Sequence, residues 1–144
     1  MTDLQAAIGL VQLGKLAAMV ERRRELADRY RAELTGMPGI RLVADPAWGT
    51  SNFQSLWLEV LPEYPLDREQ LLQALAEAGI SARRGIMAAH REPAYAGRDT
   101  RSVALDVTER LTDATLILPV YHQMTEQDLL RVVSVIRAAA ERRS

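Results

Sequence analysis

The residues best suited to chemistry lie in one stretch, Arg83-Arg84-Gly85-Ile86-Met87-Ala88-Ala89-His90, followed by Pro93 and Tyr95. Two successive guanidiniums supply forked donors that match a phosphate. Gly85 lets backbone approach closely, and the small residues beyond it leave room for a ligand's anionic group. Paired arginines are nevertheless more often solvated or salt-bridged than ligand-binding, and a lone histidine such as His90 is more often structural than an acid or base. A second cluster, Leu118-Pro119-Val120-Tyr121-His122, sets an imidazole beside a phenol and reads as a pocket wall or as a half-buried surface loop. A third, Trp48-Gly49-Thr50-Ser51-Asn52, offers hydroxyls and an amide with no general base and no nucleophile-elbow context. The two histidines lack metal-ligand spacing. Cysteine is absent, which excludes disulfides, thiolate metal sites and a cysteine nucleophile. Neither a Walker loop nor a dinucleotide fingerprint is present.

Holding such residues in place takes a folded frame, and 144 residues suffice for one domain with a real core. A composition 48% hydrophobic and 26% charged fits a soluble globular protein and argues against disorder. The formal net charge of -1 gives no electrostatic case for nucleic acid. Lys15 is the one lysine among 18 basic residues, an arginine preference that a high-GC coding sequence explains without any function.

The frame starts with a helix from Met1 to Leu34 whose halves ask for different environments. From Leu4 to Val20 apolar and small residues cover most of the circumference, so this half needs cover on several sides. From Glu21 onward Leu26, Tyr30 and Leu34 form one stripe among arginines. Thr2 and Gln5 stand three apart as a capping box, and Gly36 with Pro38 ends the helix. Gln5, Gly9, Gln12, Gly14 and Lys15 make the apolar half too polar for a membrane span, and it lacks the basic leader of a signal peptide. The default location is cytoplasmic.

Strands are expected at Ile40–Val43, Phe53–Leu61, Ile80–Arg84 and Thr115–Leu118. The second has Leu56, Leu58 and Val60 on one face and Phe53 and Trp57 on the other, which suggests a central strand covered on both sides. Helices are expected from Arg68 to Ala78 behind an Asp67 cap, from Val107 to Asp113 behind an Asp106–Glu109 capping pair, and from Thr125 with Asp128 to Ala140. Gly85 to Arg101 has little periodicity, and Glu141 to Ser144 reads as a fraying tail. The order gives an α+β fold: a long N-terminal helix (residues 1–36), then a small, mostly antiparallel sheet flanked by helices (residues 37–144).

Several stretches of this chain resemble one family. Met1-Thr-Asp-Leu-Gln-Ala-Ala-Ile-Gly-Leu-Val-Gln-Leu13 is similar to the segment that follows the small Arg-Met signature in the DegT/DnrJ/StrS sugar aminotransferases, which depend on pyridoxal phosphate (PLP) and have fold type I. The likeness continues through Arg22–Tyr30, Gly79–Met87, His90–Tyr95, Thr108–Leu111, Leu118-Pro119 and Met124–Glu126, in the family's order and spacing.

The resemblance implies the C-terminal part of such an enzyme, with the small domain of a fold type I aminotransferase. The family's large domain carries the Schiff-base lysine, the aspartate on the pyridine nitrogen and most of the phosphate-binding loop, and none of these is matched here. The chain would then start where the catalytic domain ends, as in a split or truncated gene or at an artificial boundary. It implies no catalytic residue in this chain, and a substrate-side role for Arg83, Arg84, His90 and Tyr95 at a nucleotide-sugar pocket. Many relatives place a histidine-tyrosine pair where this chain has Gly85-Ile86. The family's habit also implies a homo-oligomer, or a companion PLP-binding domain, met through Leu4–Val20. Two other readings stand beside it: a non-catalytic interaction module that pairs with a complete homologue, and an enzyme using His90 and His122 directly. PLP belongs to the complete enzyme, and a lone helical Lys15 without pKa-depressing neighbours is no Schiff-base amine. Incubated with PLP, the chain is expected to show no stoichiometric protein-bound cofactor absorbance. Such absorbance, lost on Lys15→Ala, overturns that expectation.

Overall fold

A computed structural model of the chain describes residues 1–95 and 103–141. Residues 96–102, which include the end of the aperiodic stretch, and the tail at 142–144 lie outside the described residues. The elements are α1 (Asp3–Leu34), β1 (Ile40–Leu42), β2 (Leu56–Val60), α2 (Arg68–Glu77), β3 (Arg83–Arg84), 3-10 turns at Ala89–Arg91 and Pro93–Tyr95, α3 (Asp106–Ala114), β4 (Thr115–Leu118) and α4 (Glu126–Glu141). The strands pair in the order β1-β2-β4-β3, each pairing antiparallel. The α+β fold expected from the sequence is therefore the one found, with β2 inside the sheet.

Helix starts follow local chemistry. Thr2 and Gln5 form the reciprocal capping box on α1, and Asp67 does the same with Gln70 on α2. Before α4, the Asp128 amide donates to Thr125 Oγ1 at 3.1 Å and the Thr125 amide donates back to Asp128 Oδ2 at 2.9 Å. Helix ends are met by arginines from other helices. Arg68 of α2 donates to the Thr112 carbonyl in the last turn of α3 at 2.6 Å. From α4, Arg131 reaches the Ala78 carbonyl that ends α2 at 2.6 Å, and Arg137 the Glu33 carbonyl in α1 at 2.7 Å. Each fork satisfies an acceptor that the helix itself leaves open.

One face of the sheet carries the core. Leu56, Leu58, Val60, Leu116 and Leu118 pack with Leu26, Tyr30 and Leu34 of α1, Leu71 and Leu75 of α2, and Leu129, Val132, Val133 and Ile136 of α4. Trp57, Glu59, Thr115 and Ile117 alternate onto the opposite face, where α3 lies against β2. Glu59 is fully buried there. Its carboxylate is held by Arg41, its cross-strand partner on β1, whose Nε donates at 2.8 Å, and by Arg110 of α3. Gly39, at φ +75°, lies so close to Tyr64 that a Cβ there would be 2.5 Å from the Tyr64 Cα.

Three local expectations change. The strand expected from Phe53 begins only at Leu56, because the Ser51 hydroxyl and Asn52 carboxamide accept from the amides two residues on and bend the chain. Phe53 itself sits at φ 45° and turns into the apolar core, not onto Trp57's face. The strand expected over Ile80–Arg84 shortens to Arg83–Arg84, with Ile80 drawn into the core. Asp106 does not cap α3: it lies inside the helix, and Leu105 takes the cap position without a side-chain bond.

The two halves of α1 differ as their patterns require. Leu26, Ala27, Tyr30 and Leu34 are buried. Leu4, Ile8, Leu10, Val11, Leu13 and Leu16 are 50–72% exposed. By length and composition alone α1 could cross a membrane, against the expectation that it is too polar. Its last turns are nonetheless core of the sheet domain, and Gln5, Gln12 and Lys15 interrupt the apolar surface.

Two phenols tie these parts together. The Tyr64 hydroxyl donates to the Ile136 carbonyl at 2.6 Å, and burial pushes its pKa up to about 12. Tyr30 donates to the Pro119 carbonyl at 3.2 Å and is raised too, by burial first and then by Tyr121 and Asp128. Unfolded phenols ionise near 10.0, while these stay neutral in the fold. The stability they contribute is whole below that pH and drains as pH rises from 10 toward 12. Urea melts are expected to show this alkaline loss, with a shallower slope in Tyr64→Phe. An unchanged slope in that variant refutes the assignment.

Candidate functional site

β3 is two residues long, and its alternation decides what its arginines can do. Arg83 pairs with Ile117 and Arg84 with Leu116 across β4, so the two side chains leave opposite faces of the sheet. Arg84 turns to the helical side, where its Nη2 donates to Glu69 Oε2 of α2 at 2.6 Å. The hydrogen bond from Arg84 chiefly holds the Glu69 carboxyl below its usual range. Arg83 turns to the other side and reaches across β4 to the Ser55 hydroxyl, 3.4 Å away. The two guanidiniums therefore do not converge into a single forked clamp for one phosphate. Arg83 is the one set beside Trp57 and Ile117.

Gly85 follows directly, and its reason differs from the one the sequence suggests. A Cβ at this position would run into Cζ3 of the Trp57 ring and sit 2.9 Å from its Cη2 and 2.8 Å from Thr115 Oγ1. The close approach is to this chain's own indole. Ala88 is buried, while Ile86 and Met87 between these anchors are exposed. The chain then enters the turn that carries His90.

His90 is placed by α3. Its Nε2 lies 3.0 Å from Glu109 Oε1, and Arg91 bridges to Glu109 at 3.1 Å and Asp113 at 2.7 Å. Hydrogen bonds from His90, then from Arg91, lower the Glu109 pKa. Tyr95 closes the second turn with its side chain half exposed. The sequence alone did not mark Glu69, Glu109 or Trp57 as parts of this region, since each finds its partner far along the chain.

The other clusters separate from this region. His122 lies in an open depression of about 510 Å³ on α1 with Lys15, Met19 and Arg22. It is not joined to His90, which the α3 carboxylate holds, so the structure gives no paired-histidine chemistry. Trp48 stands exposed, and the Ser51 carbonyl accepts from Arg24 at 2.9 Å. Among the described residues no group of His, Asp and Glu could hold a metal ion.

The Glu109 contact makes a pH prediction. A depressed carboxylate contributes its full effect above the ordinary value of 4.5 and loses it as pH falls through the lower folded value. The His90 ring resonances are expected to move as the solution is acidified below that point. They should not move in this way in Glu109→Gln. Identical acid titrations of the two proteins rule the contact out.

Residues 1–137 match the DegT/DnrJ/EryC1/StrS aminotransferase family. The fold is shared by solved aminotransferases. TlmJ from Streptoalloteichus hindustanus is 29% identical, with a TM-score of 0.85 over 98% of this chain and 37% of that one. DesI, determined with its TDP-sugar product, is 26% identical, with a TM-score of 0.88 over 99% of this chain and 36% of that one. The Spr1654 protein of Streptococcus pneumoniae in its PLP form is 22% identical, with a TM-score of 0.86 over 98% and 36%. This chain thus spans little more than a third of the length of these relatives. With residues 1–137 matched, the chain belongs to the DegT/DnrJ/EryC1/StrS aminotransferase family.

Proposed function

We propose that this chain is the small C-terminal, substrate-side unit of a PLP-dependent aminotransferase acting on nucleotide-linked keto-sugars in the cytoplasm. In this reading residues 1–36 form the interface helix and residues 37–144 the small domain. Arg83, His90 and Tyr95 face the substrate, while Arg84, on the other face of the sheet, ties β3 to α2 through Glu69. The residues here do not fit the cofactor: Lys15 is exposed on the open half of α1. Transamination therefore belongs to the assembly and not to this chain alone.

The observation that carries the reading is the first half of α1. Six large apolar side chains, from Leu4 to Leu16, stand 50–72% exposed on a helix whose second half is anchored in the core. Burying them is worth on the order of 10 kcal/mol before entropy is counted, at roughly 1.5–3 kcal/mol each. A domain of this size is only marginally stable, so such a surface favours a partner. That partner is a PLP-binding portion or a second copy of the chain.

Sedimentation across a concentration series is expected to show a dimer or larger species, shifted to monomer by Leu4→Glu or Val11→Glu. A folded monomer at high concentration, unchanged by either substitution, overturns self-association. For the function itself, the assembly isolated from its own cells through a tag on this chain should contain PLP and transaminate a nucleotide-linked keto-sugar. A pure assembly without cofactor overturns the reading.

A further inference from the structure

The far face of the sheet holds, beside Arg83, an indole that the proposed function does not use. Trp57 of β2 and Arg83 of β3 flank Ile117 in one cross-strand row. Each reaches over β4 toward the other's strand. The indole lies against Gly85, and the guanidinium approaches Ser55, two residues before Trp57 on the same face. A flat aromatic side chain and a cation thus lie side by side. Trp57 is half-buried, so part of its ring remains open to a ligand.

Gly85 shows how tight this arrangement is. It is not among the residues with positive φ, so backbone conformation does not demand glycine there. Space does: the Trp57 ring and the Thr115 hydroxyl occupy the volume of any side chain at position 85. The indole stands where that side chain would be.

We propose that Trp57 is a specificity-determining residue of the substrate side, its indole replacing a side chain at Gly85 and presenting a flat apolar wall beside Arg83. Aromatic surface next to a few placed charges suits a ligand that joins a ring to an anionic group. A nucleotide sugar has both: Arg83 meets the diphosphate and the indole takes the face of a ring. This rests on the function proposed above and adds a residue to it.

Two measurements test it. In thermal melts of the chain, Gly85→Ala is expected to lower Tm by about 5 °C or more. The same substitution made in a Trp57→Val background should cost less than half as much, because the two positions share one volume. Strictly additive losses overturn the packing. In the tag-isolated assembly, TDP-glucose and UDP-glucose serve as binding probes. Trp57→Val should weaken the better probe about tenfold, Trp57→Phe should retain most of the affinity, and Arg83→Ala should weaken it most at low salt. If the wild type binds a probe and Trp57→Val stays within twofold of it, the indole is packing only and the proposal fails. If the wild-type assembly binds neither probe, the nucleotide-sugar reading itself falls, while the Gly85–Trp57 coupling is judged separately by the melts.

Discussion

The buried Glu59 carboxylate fixes the second side of this fold. A carboxylate taken fully out of water is tolerated only with charged partners and good hydrogen bonds. Arg41 supplies one from the neighbouring strand and Arg110 the other from α3. The dependence is one of position as much as energy. α3 has no buried residue of its own, so apolar burial does not seat it. Arg110 on Glu59 seats it, with Arg68 on the Thr112 carbonyl and the Thr115 hydroxyl on the Leu111 carbonyl at 2.5 Å. Once α3 is seated, Glu109 and Asp113 can hold His90 and Arg91.

The sheet thus has two sides held by different forces. On the helical side leucines and valines from three helices interdigitate, and shape decides the packing. On the other side a carboxylate, several guanidiniums and one indole decide where the chain goes after β3. Arg83, proposed above to meet substrate, belongs to that polar side because of its register with Ile117. Arg84, one residue on, is turned to α2 by the same register.

Much of this was legible in the sequence, for local reasons. The Thr2–Gln5 pair, the Asp67 cap and the Thr125–Asp128 pair all form, because each needs only a turn of helix to meet its partner. The buried stripe Leu26, Tyr30 and Leu34 forms because a four-residue spacing returns to the same side of a helix. What escaped detection depends on distant partners. Glu59 reads as one acid in an apolar strand until Arg41 and Arg110 arrive from 18 and 51 residues away. Glu109 has the spacing of a cap and is claimed by His90 and Arg91 instead. Gly85 reads as room for a ligand, whereas the room is filled by Trp57 from another strand.

The arginines that close helix ends carry a consequence for how the domain comes apart. The last carbonyls of α1, α2 and α3 receive donors from α4, α4 and α2, so no one of these helices completes its own terminus. Pulling one helix away strips the end of another. Secondary structure and helix docking are thereby made parts of a single cooperative event, from Leu26 through the last turns of α4. The leading turns of α1 stand outside this mutual bracing, with no fork reaching them among the described residues. In the isolated chain they can fray without disturbing the rest, leaving one long helix with two distinct melting behaviours.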